Sequence, residues 1–104
     1  MRNRHRAEKI VFNAVTDLAK KYFPDRHFKV FLFGSRAWGT ANERSDFDIG
    51  IESDEKMPSE TFLPMQWDLE EIPVLQKVDL VDFADVSETF RNHAKKKIKI
   101  IYEQ

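Results

Sequence analysis

The chain has 104 residues, no cysteine, and a formal net charge of −1 from 17 basic and 18 acidic side chains. This length suits one domain over residues 1–104, and the charge balance excludes an overall field that would attract nucleic acid or an anionic membrane. The lack of cysteine excludes disulfides, thiolate metal ligands and cysteine nucleophiles. The N-terminal segment carries too many charges for a signal peptide or a membrane span. We therefore expect a soluble cytoplasmic protein that contacts no membrane.

Hydrophobic periodicity and turn residues divide the chain into alternating helices and strands. In chain order we expect a helix over 7–23, a strand over 28–33, a short helix over 35–40, a strand over 46–52, a partly helical excursion within 53–73, a strand over 77–83, a helix over 85–96 and an edge strand over 98–102. Asp85 and Glu88, three residues apart, predict a capping box for the last helix. This order predicts an α/β (α+β) fold, in which a small mixed sheet has its helices mainly on one face and a relatively bare opposite face.

Two carboxylates, Asp46 and Asp48, stand at positions i and i+2 of the second predicted strand. Successive side chains of a strand alternate sides, so both project from the bare face and can approach one metal cluster. Hard oxygen ligands select Mg²⁺ or Mn²⁺, and Mg²⁺ commonly uses one or two carboxylates together with substrate phosphates. The pair therefore predicts a magnesium or manganese site.

A third carboxylate usually completes such a cluster, and the third predicted strand offers Asp79 and Asp82. Alternation places these two on opposite faces. Because Val78 and Leu80 have the character of core residues, Asp79 should face outward with the site. We choose Asp79, with Asp82 as the alternative that more plausibly serves a turn or solvent at the strand end.

The Gly34–Ser35 pair closes the apolar run of the first strand at a strand-to-helix junction. Free backbone N–H groups and a hydroxyl at such a junction can hold phosphate oxygens. The three glycines of the chain, Gly34, Gly39 and Gly50, all lie within or beside this region. Glycine is used where the backbone turns sharply or approaches a ligand closely, so we expect special geometry here.

The segment FLFGSRAWGTANERSDFDIGI, followed later by KVDLVDF, resembles the minimal nucleotidyltransferases of the DNA polymerase β-like superfamily. The signature of that family is Gly-Ser, a spacer of about this length, Asp-x-Asp and a later strand aspartate. The resemblance extends over nearly the whole chain, and it implies the nucleotidyltransferase fold. It also implies attack by a hydroxyl on the α-phosphate of ATP or another nucleoside triphosphate, with pyrophosphate leaving.

The resemblance assigns roles to the residues of the motif. Gly34 and Ser35 would bind the triphosphate tail of the nucleotide. Asp46, Asp48 and Asp79 would be the catalytic carboxylates that ligate the metal ions, and Asp79 would help accept the proton of the attacking hydroxyl. Arg36 could support phosphate charge through its guanidinium, with a plain surface arginine as the equal alternative.

The family also implies a partner, because minimal nucleotidyltransferases commonly pair with a separately encoded helical protein of the HEPN type. In such pairs this kind of chain acts as the antitoxin, in some cases by transferring AMP to a tyrosine of the toxin. The alternative is a non-catalytic or weakly catalytic nucleotide-binding module that neutralises its partner by complex formation. Direct binding to nucleic acid is not expected, since the charge balance does not favour it.

Overall fold

The computed structural model describes residues 2–104, with side chains described from Arg6 onward. The elements in chain order are α1 (Arg2–Tyr22), β1 (Lys29–Phe33), α2 (Ser35–Trp38), β2 (Phe47–Glu52), α3 (Ser59–Glu70), β3 (Val78–Asp82), α4 (Glu88–Ala94) and β4 (Lys99–Glu103). The predicted order is confirmed, and the excursion between β2 and β3 contains one helix of 12 residues that includes Pro64. Within the described residues, no helix has both the length and the apolar character needed to cross a membrane.

The four strands form a mixed sheet in the order β3-β2-β1-β4. β1 is antiparallel to both β2 and β4, whereas β2 and β3 are parallel. Parallel neighbours need a crossover connection, and α3 provides it between β2 and β3. β4 lies at one edge of the sheet, as its sequence predicted.

The main core lies between one face of the sheet and the helices α1 and α3. Alternate residues of β1, β2 and β3 point into it, because side chains of a strand change face at every residue. Its buried members include Val11, Val15, Ala19, Val30, Leu32, Phe47, Ile49, Ile51, Met65, Leu69, Val78 and Leu80. The prediction that helices pack mainly on one face is confirmed.

The opposite face is not bare, which corrects the sequence-based expectation. Phe31, Phe33 and Phe83 form a second cluster there with Ala94 of α4. The rings of Phe31 and Phe83 meet edge to face with their centroids 4.8 Å apart. Gly50 lies beneath them, since a Cβ atom at this position would be 2.5 Å from Cε1 of Phe31. The glycine therefore makes room for an aromatic cluster and does not serve the carboxylates.

The start of α4 also differs from the prediction. Ser87 is the N-cap, and its hydroxyl accepts a hydrogen bond of 3.1 Å from the backbone N–H of Phe90. Asp85 lies two residues earlier, and its carboxylate is 3.3 Å from the ammonium of Lys56. The capping box of Asp85 and Glu88 is therefore wrong, because the chain first makes a turn after β3 and enters the helix only at Ser87.

Candidate functional site

Asp48 and Asp79 lie side by side on the face opposite the main core. β2 and β3 are parallel, and their register pairs these two residues directly. Neighbouring strands are about 4.8 Å apart, so the two carboxylates share one short stretch of the sheet surface. Asp46 immediately precedes β2, is exposed, and belongs to the same face by alternation. The sheet thus brings the three predicted acidic residues to one corner.

The electrostatics of this corner act most strongly on Asp48. Its partial burial raises the pKa of its carboxyl above the ordinary 3.8, and the charges of Asp79 and then Asp46 raise that pKa further. Burial and neighbouring like charges both disfavour the ionised form of an acid. Lys77 lies 3.5 Å from Asp79, but its side chain is 68% exposed and that of Asp79 is 36% exposed, so solvent screens this ion pair and it neutralises little of the charge. The corner consequently favours a cation.

The donor set, two adjacent carboxylates with a third beside them, is of the kind that suits a hard divalent cation. Among the described side chains, no three His, Cys, Asp or Glu groups are close enough together to enclose a metal ion. The predicted cluster of three ligands is therefore not assembled in the present side-chain positions. Mg²⁺ usually keeps several waters and takes one or two carboxylates together with substrate phosphates. Asp48 and Asp79, with Asp46 beside them, match that requirement.

Gly34 approaches the same corner from the end of β1. Its φ of 74° and ψ of −155° lie in a region that is essentially restricted to glycine. A Cβ atom at this position would be only 2.3 Å from Oδ2 of Asp48. The backbone of the Gly34–Ser35 turn is thus packed directly against the Asp48 carboxylate. The two halves of the sequence motif, which are separated by the spacer, are in contact.

The structure does not place Arg36 as a phosphate ligand or as a surface residue. Its side chain is buried, and its guanidinium donates to the backbone carbonyl of Ser45 from Nε at 3.1 Å and from Nη2 at 2.8 Å. It also stacks on the ring of Phe47, 3.8 Å from the centroid. These contacts direct the guanidinium into the loop before β2, so Arg36 is not positioned to bind phosphate.

Asp82, the alternative third carboxylate, has a structural role. It lies on the core face at the end of β3 and is 9% exposed. Its Oδ2 accepts a hydrogen bond of 2.8 Å from the N–H of Met57, and its Oδ1 accepts one of 3.0 Å from the N–H of Ala84. Both oxygens are thus engaged by backbone donors of neighbouring loops. Its position leaves Asp79 as the acidic residue of β3 that lies next to Asp48.

A family model described as "Polymerase beta, Nucleotidyltransferase" matches residues 13–104. The chain belongs to this family. It is 32% identical over 90 residues to the probable protein adenylyltransferase MntA of Haemophilus influenzae, with 86% of this chain and 77% of that protein covered. The predicted family, its enzyme class and its nucleotidyltransferase fold are confirmed.

Solved structures show the same fold. A crystal structure of a toxin–antitoxin with AMP-PNP matches with a TM-score of 0.72 at 22% identity, covering 89% of this chain and 73% of that chain. A structure of the tri-AMPylated HEPN toxin of Shewanella oneidensis in complex with its MNT antitoxin matches with a TM-score of 0.69 at 19% identity, covering 92% and 72%. At these identities the likeness establishes the fold.

Sequence reasoning missed one feature beside the site. Trp38, the last residue of α2, stacks on His93 of α4 with the ring centroids 6.2 Å apart and an angle of 24° between the planes. The two residues are far apart in the sequence, and the histidines show no spacing that suggests a role. The signal appears only when α4 is seen to cover the aromatic cluster next to the carboxylates.

Proposed function

We propose that this chain transfers AMP from ATP to a hydroxyl group of a helical HEPN-type partner and acts as the antitoxin of a toxin–antitoxin pair. The contact between the Gly34 turn and the Asp48 carboxylate, beside Asp79, carries this proposal, because it joins a phosphate-binding turn to an acidic corner. The likeness to an adenylyltransferase and to toxin–antitoxin complexes, one of which holds an AMPylated HEPN toxin, supports the choice of AMP and of the partner.

In this mechanism Asp48 and Asp79, with Asp46 beside them, would hold Mg²⁺, or Mn²⁺ in its place. The ions, when bound, neutralise charge on the phosphate and stabilise the attacking and leaving oxygens. Gly34 and Ser35 hold the triphosphate tail, so that the α-phosphate lies over the carboxylates. Partial burial, and then the charges of Asp79 and Asp46, raise the pKa of the Asp48 carboxyl; both effects disfavour the cation-free site and favour cation binding.

The transfer itself needs no protein nucleophile. The acceptor hydroxyl of the partner forms a bond to the α-phosphorus of ATP, and the bond from that phosphorus to the β-phosphate oxygen breaks, releasing pyrophosphate. Asp79, whose side chain is 36% exposed, accepts the hydroxyl proton. Alignment of the two substrates and neutralisation of charge supply most of the acceleration.

Intact-mass measurement tests this proposal. The chain is co-expressed with the product of the neighbouring gene and incubated with ATP and Mg²⁺, and both chains are weighed. We expect the partner to gain the mass of one or more AMP groups. This gain should vanish with Asp46→Ala plus Asp48→Ala.

Asp25→Ala plus Asp54→Ala is the matched control, because it removes the same charge from two exposed positions away from the acidic corner. This control should retain the transfer. Tight complex formation with no change of mass in either chain would contradict the proposal and would favour neutralisation by occlusion alone.

A further inference from the structure

Arg36 occupies an unusual position for a cation. Its side chain is fully buried although it follows directly on the Gly34–Ser35 turn. Charged side chains are rarely buried unless they are paired and hydrogen-bonded, because removal from water is costly. Here Nη1 lies 3.9 Å from a carboxylate oxygen of Glu8 on α1, and the other nitrogens face backbone carbonyls. The burial of the guanidinium is therefore offset by one ion pair and by hydrogen bonds to backbone carbonyls.

Those carbonyls belong to the loop that separates the turn from the acidic strand. The guanidinium donates to Ser45 twice, and Nη2 is also 3.4 Å from the carbonyl oxygens of Asn42 and Glu43. The loop side chains at 42–44 are exposed, so packing does little to hold this segment. The loop also makes local bonds, including that from the Arg44 N–H to the Asn42 side chain at 2.8 Å. Arg36 adds the anchor from the protein interior.

The residues held by Arg36 flank Asp46 on both sides. Ser45 precedes Asp46 and is bonded through its carbonyl, while Phe47 follows Asp46 and lies under the guanidinium plane at 3.8 Å. Phe47 is itself fully buried, which fixes it to the core. The backbone of Asp46 is therefore held between two anchored neighbours, although its own side chain is exposed.

Arginine suits this position for a geometric reason. Its guanidinium is flat, so it can stack on an aromatic ring and donate from its edge to several carbonyls at the same time. A lysine ammonium could retain the charge opposite Glu8, but it cannot make the same set of in-plane bonds.

We propose that Arg36 is a positioning residue for the transfer reaction. It binds the loop carbonyls and supports Phe47, and in this way it fixes Asp46 beside Asp48. The inference rests on the proposed function for its catalytic consequence. It also explains why the spacer between Ser35 and Asp46 can be polar and exposed and still deliver a carboxylate to a defined place. The Gly34–Ser35 turn and Arg36 are adjacent in sequence, and Arg36 is bonded to the loop that carries Asp46, so both ends of the motif depend on α2.

The test compares Arg36→Met, Arg36→Lys and Arg91→Met. Arg91 is a matched control, because it also donates from two nitrogens to one carbonyl, that of Phe83 at 3.1 and 2.9 Å, and lies 3.9 Å from a glutamate, Glu52. The readouts are hydrogen exchange of the amides at 42–46, Mn²⁺ binding by electron paramagnetic resonance with AMP-PNP, and the kcat and KM of AMP transfer to the partner. All are measured at a temperature where each variant is folded.

We expect Arg36→Met to accelerate exchange at 42–46, to weaken Mn²⁺ binding and to lower kcat roughly 100-fold, with KM for the partner protein unchanged. Arg36→Lys should lose about tenfold in kcat and remains readable if the methionine variant fails to fold. Arg91→Met should lose stability but keep exchange at 42–46, Mn²⁺ binding and kcat close to the wild type.

Equal kcat and Mn²⁺ affinity in the wild type and Arg36→Met would overturn the inference while leaving the proposed function intact. If the wild type transfers no AMP, the proposed function fails instead. Hydrogen exchange of the amides at 42–46 and Mn²⁺ binding then still test the positioning role of Arg36. Unchanged values of both in the folded variants would then reject the positioning role.

Discussion

Replacement of Gly34 by alanine provides a direct test of how the turn and the acidic strand are joined. The backbone at Gly34 has a φ of 74° and a ψ of −155°, a combination that side-chain-bearing residues adopt only with strain. Holding a residue in so sparsely populated a region costs about 1–3 kcal/mol. We therefore expect Gly34→Ala to lower the free energy of unfolding by roughly that amount.

The same substitution should also displace a carboxylate. The added Cβ would be 2.3 Å from Oδ2 and 3.2 Å from Cγ of Asp48, whereas ordinary contacts begin at 3.4 Å. The oxygen must therefore retreat by about 1 Å, and a misplacement of about 1 Å can cost roughly 100-fold in rate. We expect kcat for AMP transfer to fall by about that factor, because the proposed mechanism requires this carboxylate in the transition state.

Gly39→Ala separates the two effects. Gly39 also has a positive φ, 84°, but a Cβ there would meet no atom within 4 Å. This variant should lose about 1–2 kcal/mol of stability from the left-handed backbone alone and keep its kcat. Urea denaturation and initial rates of AMP transfer, both corrected for the folded fraction, measure the two quantities. A Gly34→Ala variant with the kcat of Gly39→Ala would refute the reasoning.

Four further substitutions test the charges of the fold. Burial, with the charges of Asp79 and Asp46, raises the pKa of Asp48 above 3.8, so its ionisation destabilises the metal-free fold. At neutral pH, in urea with EDTA, Asp48→Asn should therefore have a higher free energy of unfolding than the wild type. This difference in free energy should shrink as the pH falls toward 3.8, and a difference that grows would contradict the reasoning. Asp82→Ala should lower the free energy of unfolding by about 1–3 kcal/mol, because it leaves two backbone amides unpaired, and it should keep AMP transfer. Asp79→Asn should abolish AMP transfer and change the free energy of unfolding little. The reverse pattern would show that the two residues have each other's roles. The hydrogen bond from the Tyr22 hydroxyl to Asp68, with partial burial and the charge of that carboxylate, raises the pKa of Tyr22. Asp68→Ala should therefore lower the pKa of Tyr22, which an ultraviolet titration measures. An unchanged pKa would show that the hydrogen bond is absent in solution.

Much of the fold follows from periodicity alone. The period of two in β2 and β3 places Asp48 and Asp79 on one face and their apolar neighbours on the other, and the buried residues agree with this division. Alternation does not specify that β2 and β3 are adjacent or that their register pairs the two aspartates. Those features depend on the α3 crossover and on packing between distant segments.

The features that sequence reasoning got wrong depend on tertiary contacts. Arg36 looks like a phosphate ligand because it follows Ser35, and only the folded loop shows that carbonyls of residues 42–45 surround it. The expectation of a bare outer face is also wrong, because Phe31, Phe33 and Phe83 cover it and Gly50 makes room for Phe31 and Phe83. In both cases the contacts that decide the outcome join residues that are distant in sequence.

The close packing at Gly34 connects the stability of this domain to its chemistry. A glycine is needed because the turn passes within contact distance of Asp48, and partial burial is the first cause of the raised pKa of that carboxyl. The carboxylate would therefore be more favourable with a cation than without one, since a bound cation would offset both the burial and the repulsion from Asp79. Mg²⁺ together with AMP-PNP should consequently stabilise the wild type against urea more than it stabilises Asp48→Asn, because binding to the folded state alone adds to the free energy of unfolding. Equal stabilisation of the two proteins would show that the nucleotide is held without this carboxylate.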